Sequence, residues 1–295
     1  MKDKIVTVFG ASGFLGRYVV EELAQAGYTI RAVARNIEHC KDLRTSGFVG
    51  QIVPVKGDLL DYNSYGDLIK NSYAVVNLVG VLKECGKQGF DALHARMPEK
   101  LAVEAKRQGV EKFIHVSAIV SGESKSKYAK SKIHGEEAVL KAFPEATILK
   151  PSVVFGAEDN FFNQFAAMSK FSPFLPLIGG GKTRFQPVFA GDVARAVLVA
   201  VEGKYSGKFE LGGPKIYSFK KIMKLVMEFT KRKRILLPLP FFISAILAKL
   251  PLVPLTSDQL KLLRHNNIVA DDVRCLHTMG IEPTSVYAVV PKYIR

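Results

Sequence analysis

The stretch "KIVTVFGASGFLGRYVVEELAQAG", Lys4 to Gly27, decides the fold. It begins as a short β-rich apolar run, "KIVTVFG", and turns through three glycines. It then takes up helical spacing that puts Leu15, Val19, Val20 and Leu23 on one face. The helix stops at Gly27, and "TIRAVAR" is β-rich again. A strand, a helix and a strand in so few residues require a right-handed parallel crossover. Gly10, Gly13 and Gly16, spaced G-x-x-G-x-x-G, fall directly after the strand and directly before the helix. Such a turn lets the backbone approach a pyrophosphate at the helix N-terminus, and the third glycine lets helix and strand pack closely. Glycines also mark plain tight turns. The strand–turn–helix frame is what points to a dinucleotide.

The alternation continues along the chain. "QIVPVKGD" reads as a strand, "YNSYGDLIKN" as a short helix and "YAVVNLVGVL" as a buried strand. "MPEKLAVEAKRQG" is a helix with Pro98 suited to its first turn, and "KFIHVSA" is the next strand. "YAKSKIHGEEAVLKAF" is helical in pattern and "ATILKPSVVFG" strand-like. An α/β, doubly wound parallel sheet of the Rossmann kind is the expected fold. After Gly156 the regular alternation breaks down. "PVFAGDVARAVLVAVEG" gives a strand end and a helix opening near Asp192, and "GKFELGG" gives one more strand. The expected organisation is a dinucleotide-binding domain over 1–155, completed by 185–212. A smaller discontinuous lobe comprises 156–184 and 213–295, with the cleft between the two.

The formal net charge of +15 implies an anionic partner: a phosphorylated cofactor, nucleic acid, an acidic protein or anionic lipid. No recognised nucleic-acid motif accompanies the charge, so nucleic acid is not an expected partner. Cys40, Cys85 and Cys275 are scattered, which suits reduced thiols, and no histidine pair has metal-ligand spacing. No metal site is expected. The N-terminus enters a strand almost at once, leaving no room for a signal or transit peptide in the chain as given.

An NAD site usually carries an acid at the end of the second strand, to bind the ribose 2′-hydroxyl. Here that strand ends "AVARN", with Arg35 where the acid would stand, and Arg17 follows the third glycine. Two cations and no carboxylate suit a 2′-phosphate, so NADP(H) is expected over NAD(H). "GGGKT", Gly179 to Thr183, looks like the end of a Walker loop, but the required first glycine is replaced by Pro176 and no strand–loop–helix frame surrounds it. A basic loop beside the cleft is the expected reading.

"HVSA" places Ser117 at the carboxyl end of a strand, where α/β sheets bind ligands, and "SKYAKSK" follows. Tyr128 and Lys132 lie one turn apart on one helix face, while Lys125, Lys127 and Lys130 are expected in solvent. A phenol near pKa 10 is a poor acid–base at neutral pH, and a neighbouring ammonium favours the phenolate. Ser117 is then placed to hydrogen-bond a substrate carbonyl, Tyr128 to transfer the proton and Lys132 to lower the phenol pKa.

"GASGFLG", the strand-end Ser117 and "YAKSK" resemble the short-chain dehydrogenase/reductases of the extended or atypical kind, over nearly the whole chain. "LKPSVVFGAEDNFFNQFA", "TRFQPVFAGDVARAV" and "FELGGPKIYSF" are similar to the NAD(P)H-binding accessory subunits of respiratory complex I and their bacterial relatives. The resemblance implies catalytic positions at Ser117, Tyr128 and Lys132. It implies cofactor contacts from Gly10, Ser12, Gly13, Phe14, Leu15, Gly16, Arg17, Arg35, Asp58, Leu59, Val79, Gly80, Tyr128, Lys132 and Pro151. It implies a tightly bound NADPH, either catalytic on a carbonyl/alcohol pair or structural. The expected partners are a respiratory-chain membrane complex and a small apolar or quinone-like ligand. Without an import sequence, the expected setting is the bacterial cytoplasm, at the inner face of the cytoplasmic membrane.

"KRKRILLPLPFFISAILAKLPLVPL", Lys231 to Leu255, sets four cations before a mostly apolar run. Pro238, Pro240, Pro251 and Pro254 exclude a continuous helix, and the uninterrupted piece, Phe241 to Leu250, rises only about 15 Å, half a hydrocarbon core. It is expected not to cross a bilayer. One expectation is a short helix capping the substrate lobe. The other is a helix in an anionic membrane interface with Phe241, Phe242, Ile246 and Leu247 inserted.

Overall fold

Strand β1 (Ile5–Phe9) is buried from Val6 to Phe9, on both of its faces. A strand of this kind must lie inside a parallel sheet with helices on either side. The computed structural model describes residues 4–86, 88–203, 205–247 and 256–294. In it β1 is followed by α1 (Phe14–Gln25), β2 (Thr29–Ala34), β3 (Ile52–Lys56), α2 (Tyr65–Ile69) and β4 (Ser72–Asn77). Then come α3 (Met97–Arg107), β5 (Lys112–Val116), α4 (Lys127–Ala142) and β6 (Thr147–Pro151). With the edge strand Gly207–Leu211 these form one seven-stranded sheet, and every pairing in it is parallel. From one edge the order is Gly207–Leu211, β6, β5, β4, β1, β2, β3. The direction of winding therefore reverses between β1 and β4, and the crevice outside the carboxyl ends of those two strands is where such sheets take ligands.

The residues of each strand divide between two cores. Val6, Val8, Ile114, Val116 and Leu149 pack with α1 and with the later helix Ala190–Glu202. Phe9, Val75, Phe113 and Ile148 pack beneath α2, α3 and α4. A third cluster lies outside the sheet, between α5 (Phe161–Phe171) and the helix Phe219–Phe229. We number the later helices α6 (Ala190–Glu202), α7 (Phe219–Phe229), α8 (Phe241–Leu247) and α9 (Ser257–Leu262).

Two departures from the sequence expectation shape the site. The apolar run "YAVVNLVGVL" leaves the sheet at Asn77, whose Oδ1 accepts the Val79 N–H at 3.1 Å. The helix expected from Met97 continues backwards as a π-helix, Ala92–Arg96. Pro98 has no N–H to return to the His94 carbonyl four residues before it, so the regular ladder fails at that point. Gly135 of α4 packs on the freed carbonyl; a Cβ built there would lie 1.8 Å from the His94 oxygen.

The three glycines of "GGGKT" take φ values of 58°, 69° and 72° and form a tight turn after the strand Phe174–Ile178. Gly179 lies under the Phe241 ring, with a built Cβ 2.5 Å from it. This is a packing turn, and no helix opens from it to receive a phosphate.

Because backbone on both sides of Gly135 has nowhere to go, Gly135→Ala is expected to destabilise the fold by about 1–3 kcal/mol. Urea denaturation of the purified variant reads this directly. A midpoint equal to that of the parent would show that α4 and the π-turn can separate freely.

Candidate active site

The glycine turn is built as its spacing predicts. Gly10 sits at φ 82°, and the Gly13 N–H donates to the Gly10 carbonyl at 3.1 Å. A Cβ at Gly16 would lie 2.3 Å from the Gly10 oxygen and 2.4 Å from that of Ala11, so only glycine lets α1 cross β1 here. No side chain caps α1 and no acid stands in its first turn. Its first N–H groups are therefore left for an anion. The β1 and β4 loops meet here, with a built Gly10 Cβ 3.3 Å from the Leu78 carbonyl carbon. This cradle fits the diphosphate of a dinucleotide.

The other expected cofactor positions lie around the same end of the sheet. Ser12 is partly exposed, and Gly13 and Arg17 are open to solvent. Phe14 and Leu15 are half-buried, with Phe14 edge-on to Tyr18 at 5.7 Å. Arg35 is exposed after β2. After β3, Asp58 is exposed and accepts the Leu60 N–H at 3.0 Å, and Leu59 is half-buried. Val79 is buried and Gly80 exposed after β4, and Pro151 is buried at the end of β6. Burial pushes the Cys40 thiol up while the Arg17 charge opposes it. Arg17 therefore acts on the segment after β2, where Arg35 also stands.

Helix α4 carries the reactive residues and is capped twice. Its own Ser126 Oγ accepts the Ala129 N–H at 3.2 Å. Asp258, from α9, receives the Ser126 hydroxyl at 2.7 Å, the Lys127 N–H at 2.8 Å and the Tyr128 N–H at 3.0 Å. Burial alone would raise the Asp258 pKa, but these donors hold it below the usual carboxylate range.

Lys132 is 3% exposed, and burial brings its ammonium down to about 8, against the opposing charge of Glu136 one turn further on. Its Nζ lies 3.4 Å from where a Cβ on Gly80 would be, so the missing side chain makes room for it. Tyr128 stands between the edges of Phe90 and His94, with ring centroids 5.7 and 5.3 Å away. Burial pushes its phenol up to about 12. The cost of desolvating a phenolate governs this shift.

Ser117 is buried and donates its hydroxyl proton to Glu136 at 2.7 Å. Glu136 is buried too, 2.9 Å from Lys208 and 3.9 Å from Lys150, which pairs with Glu210 at 3.2 Å. The structure thus brings Tyr128 and Lys132 together, and joins Ser117 to the ion network one turn beneath them.

His94 was not legible as a site residue. The Val81 N–H can only donate, so His94 Nε2 accepts it at 3.0 Å. The ring proton is then on Nδ1 and is donated to Ser131 Oγ at 3.0 Å; Ser131 in turn donates to the Tyr128 carbonyl at 2.8 Å. Burial, then Lys132, then His115 hold His94 down to about 2. His115 is held to about 3 by burial and then Lys132, and its Nδ1 faces the Asn77 amide at 3.1 Å. Asp258, His94 and Asn77 lie far from the motif in sequence. Glu136 alone carried a signal, its i,i+4 spacing from Lys132.

These buried neutral histidines make stability depend on pH. Their folded pKa values lie below the ordinary histidine value of 6.5, so the unfolded chain binds more protons as pH falls. The stabilisation is complete above about pH 6.5 and declines below it, by up to about 1.4 kcal/mol per pH unit for each histidine. Urea midpoints at pH 7 and pH 5.5 are expected to differ accordingly, and less so in His94→Gln. An identical pH dependence in that variant would remove His94 from the linkage.

Residues 6–212 match the family described as the NAD dependent epimerase/dehydratase family. The chain is 36% identical over 299 residues to NADH dehydrogenase [ubiquinone] 1 alpha subcomplex subunit 9, mitochondrial, of Arabidopsis thaliana, covering 95% of this chain and 74% of the relative. It is 30% identical over 242 residues to the ceramide reductase of Caulobacter vibrioides, covering 80% and 74%. The solved UDP-glucose 4-epimerase with UDP-glucose from Thermotoga maritima shares the fold at a TM-score of 0.75 and 18% identity, covering 98% of this chain and 97% of that one. The dTDP-glucose 4,6-dehydratase from Streptomyces venezuelae, solved with NAD, does so at 0.76 and 16%, covering 99% and 96%.

Proposed function

We propose that this chain, which belongs to the NAD dependent epimerase/dehydratase family, binds NADP(H) and acts as an oxidoreductase on a carbonyl/alcohol pair. The observation that carries the reading is the Tyr128–Lys132 pair on one face of α4, beside the crevice between β1 and β4. The nicotinamide of such a cofactor supplies or accepts a hydride. The protein's part is proton handling and exclusion of water. Tyr128 exchanges a proton with the substrate oxygen. Lys132, with its pKa near 8, keeps a positive charge beside it at neutral pH. Ser117 acts as a positioning residue, holding Glu136 one turn below Lys132. Phe90 and the neutral His94 wall the phenol, which favours an apolar or quinone-like substrate.

Arg17 and Arg35 support a 2′-phosphate, through charge-assisted contacts worth about 1.5–3 kcal/mol each. Arg35→Asp is expected to weaken NADPH binding by about tenfold or more while changing NADH binding far less, measured by calorimetry. Equal affinities for the two nucleotides in the parent protein would overturn the preference.

The respiratory-subunit relatives favour a second reading, in which NADPH stabilises an accessory or assembly protein of a respiratory membrane complex without turnover. The committed Ser117 proton and the raised Tyr128 pKa are in keeping with it. For either reading the proposed setting is a bacterial cytoplasm, at the inner face of the cytoplasmic membrane. Tyr128→Phe separates them. Loss of an acid–base group should lower NADPH-dependent reduction about 10²–10⁴-fold with NADPH affinity nearly unchanged. If the parent shows no reduction but melts at a higher temperature with NADPH, the accessory reading stands.

A further inference from the structure

The chain between α7 and α8 makes a two-stranded parallel ribbon in which Ile235–Leu239 pairs with Phe174–Ile178. All ten positions are Ile, Leu, Phe or Pro. Leu175 and Leu177 are buried and Leu236 is half-buried, in the core formed with α5 and α7. On the opposite face, among the described residues, Phe174, Ile235 and Leu237 are exposed, Pro176 and Leu239 are half-buried and Ile178 is buried. Ile235 pairs with Phe174 and Leu237 with Pro176, so these four share that face, and Ile235 is 61% exposed. Phe171, at the end of α5, is 89% exposed beside them. Exposed apolar side chains gathered on one face in this way mark an interaction surface.

The cations that lead into the ribbon continue the same alternation. Lys231 and Lys233 are exposed, as Ile235 and Leu237 are, while Arg232 and Arg234 are turned partly inward. Those two arginines bond to Ser169 of α5, Arg232 to its Oγ at 3.3 Å and Arg234 to its carbonyl at 2.7 Å. Helix α7 ends with Lys231 at φ 54°, while the Arg232 N–H donates to the Met227 carbonyl at 3.0 Å. A helix ending in this way normally places glycine at the left-handed position. Here a lysine occupies it, at the rim of an open depression of about 560 Å³ lined by Met227, by Lys224 and the cations of 231–234, and by a single acid, Glu228.

We propose that this ribbon face is a docking surface for an anionic lipid bilayer. Phe171, Phe174, Ile235 and Leu237 enter the acyl boundary, and the depression at the end of α7 takes the lipid phosphates. Exposed cations leading directly into exposed apolar residues are the charge complement of such an interface. The proposal gives the docking role to the ribbon; for α8 the sequence left two readings open, a cap on the substrate lobe and a helix in the membrane interface. Phe241 of α8 is packed on Gly179, with the Arg264 guanidinium 5.0 Å from its ring. Phe242 and Ile243 remain exposed; the side chains of Ile246 and Leu247 and the whole of 248–255 lie outside the described residues. Among the described residues no helix is long and apolar enough to cross a membrane. The proposal is independent of what happens at Tyr128.

The test is flotation of the full chain with phosphatidylcholine vesicles, with and without about one-third phosphatidylglycerol, at low and high salt. Binding is expected to the anionic vesicles only, and to fall with salt. Lys231→Gln with Lys233→Gln should weaken it about twenty-five-fold, at roughly fivefold per cation near a charged surface. Ile235→Thr with Leu237→Thr keeps β-forming residues at exposed positions and should also reduce binding severalfold. Binding that survives the threonine variant but is lost in Phe242→Ser with Ile243→Ser would return the role to α8 and overturn the proposal. No binding to either vesicle would do the same, as would a dimer in solution that the threonine variant dissociates.

Discussion

The arrangement around α4 follows from one constraint, the burial of the Lys132 ammonium. An amine removed from water must be given room, a compensating charge and neighbours that do not add to its cost. Gly80 gives the room by having no side chain. Glu136 gives the charge from one turn away, and is itself balanced by Lys208 and Lys150. His94 and His115 stay neutral first because burial disfavours their charged form, and then because a further positive charge would stand near Lys132. The neutral His94 can then accept from the loop after β4 and donate towards α4, which ties together the two elements on either side of the ligand crevice.

The later part of the chain is joined to this frame by carboxylates that gather several donors each. Asp258 caps α4 from α9, 130 residues away from Tyr128 in sequence. Asp192, in the first turn of α6, accepts the N–H and the hydroxyl of Thr284, at 2.6 and 2.8 Å. Asp159 accepts the Phe162 N–H at 2.6 Å and the hydroxyl of Tyr293, close to the end of the chain. A carboxylate with two or three donors is a strong and directional joint. Each one fixes a segment without the regular pairing of the central sheet. The acid in each case lies at or near the start of a helix, where the helix dipole also favours negative charge.

The fold was legible because period and spacing are properties of the chain itself. Strand runs buried on both faces, helical stripes between them and a glycine turn at the first crossover admit few arrangements other than a doubly wound parallel sheet. Tyr128 and Lys132 were legible for the same reason, since one helical turn separates them wherever the helix lies. The cations before Ile235 and the apolar character of that segment could also be read directly. What the sequence could not determine was which groups compensate buried charge, because that depends on residues meeting in space. Ser117 meets Glu136, His94 meets Val81 and Ser131, and Asp258 meets the α4 N-terminus only after the sheet has formed. Spacing likewise identified the neighbour of Tyr128, but only packing set the Phe90 and His94 rings against its phenol. Tertiary structure also decided which residues of the ribbon stay exposed, since pairing with Phe174–Ile178 puts Ile235 and Leu237 on the same face as Phe174.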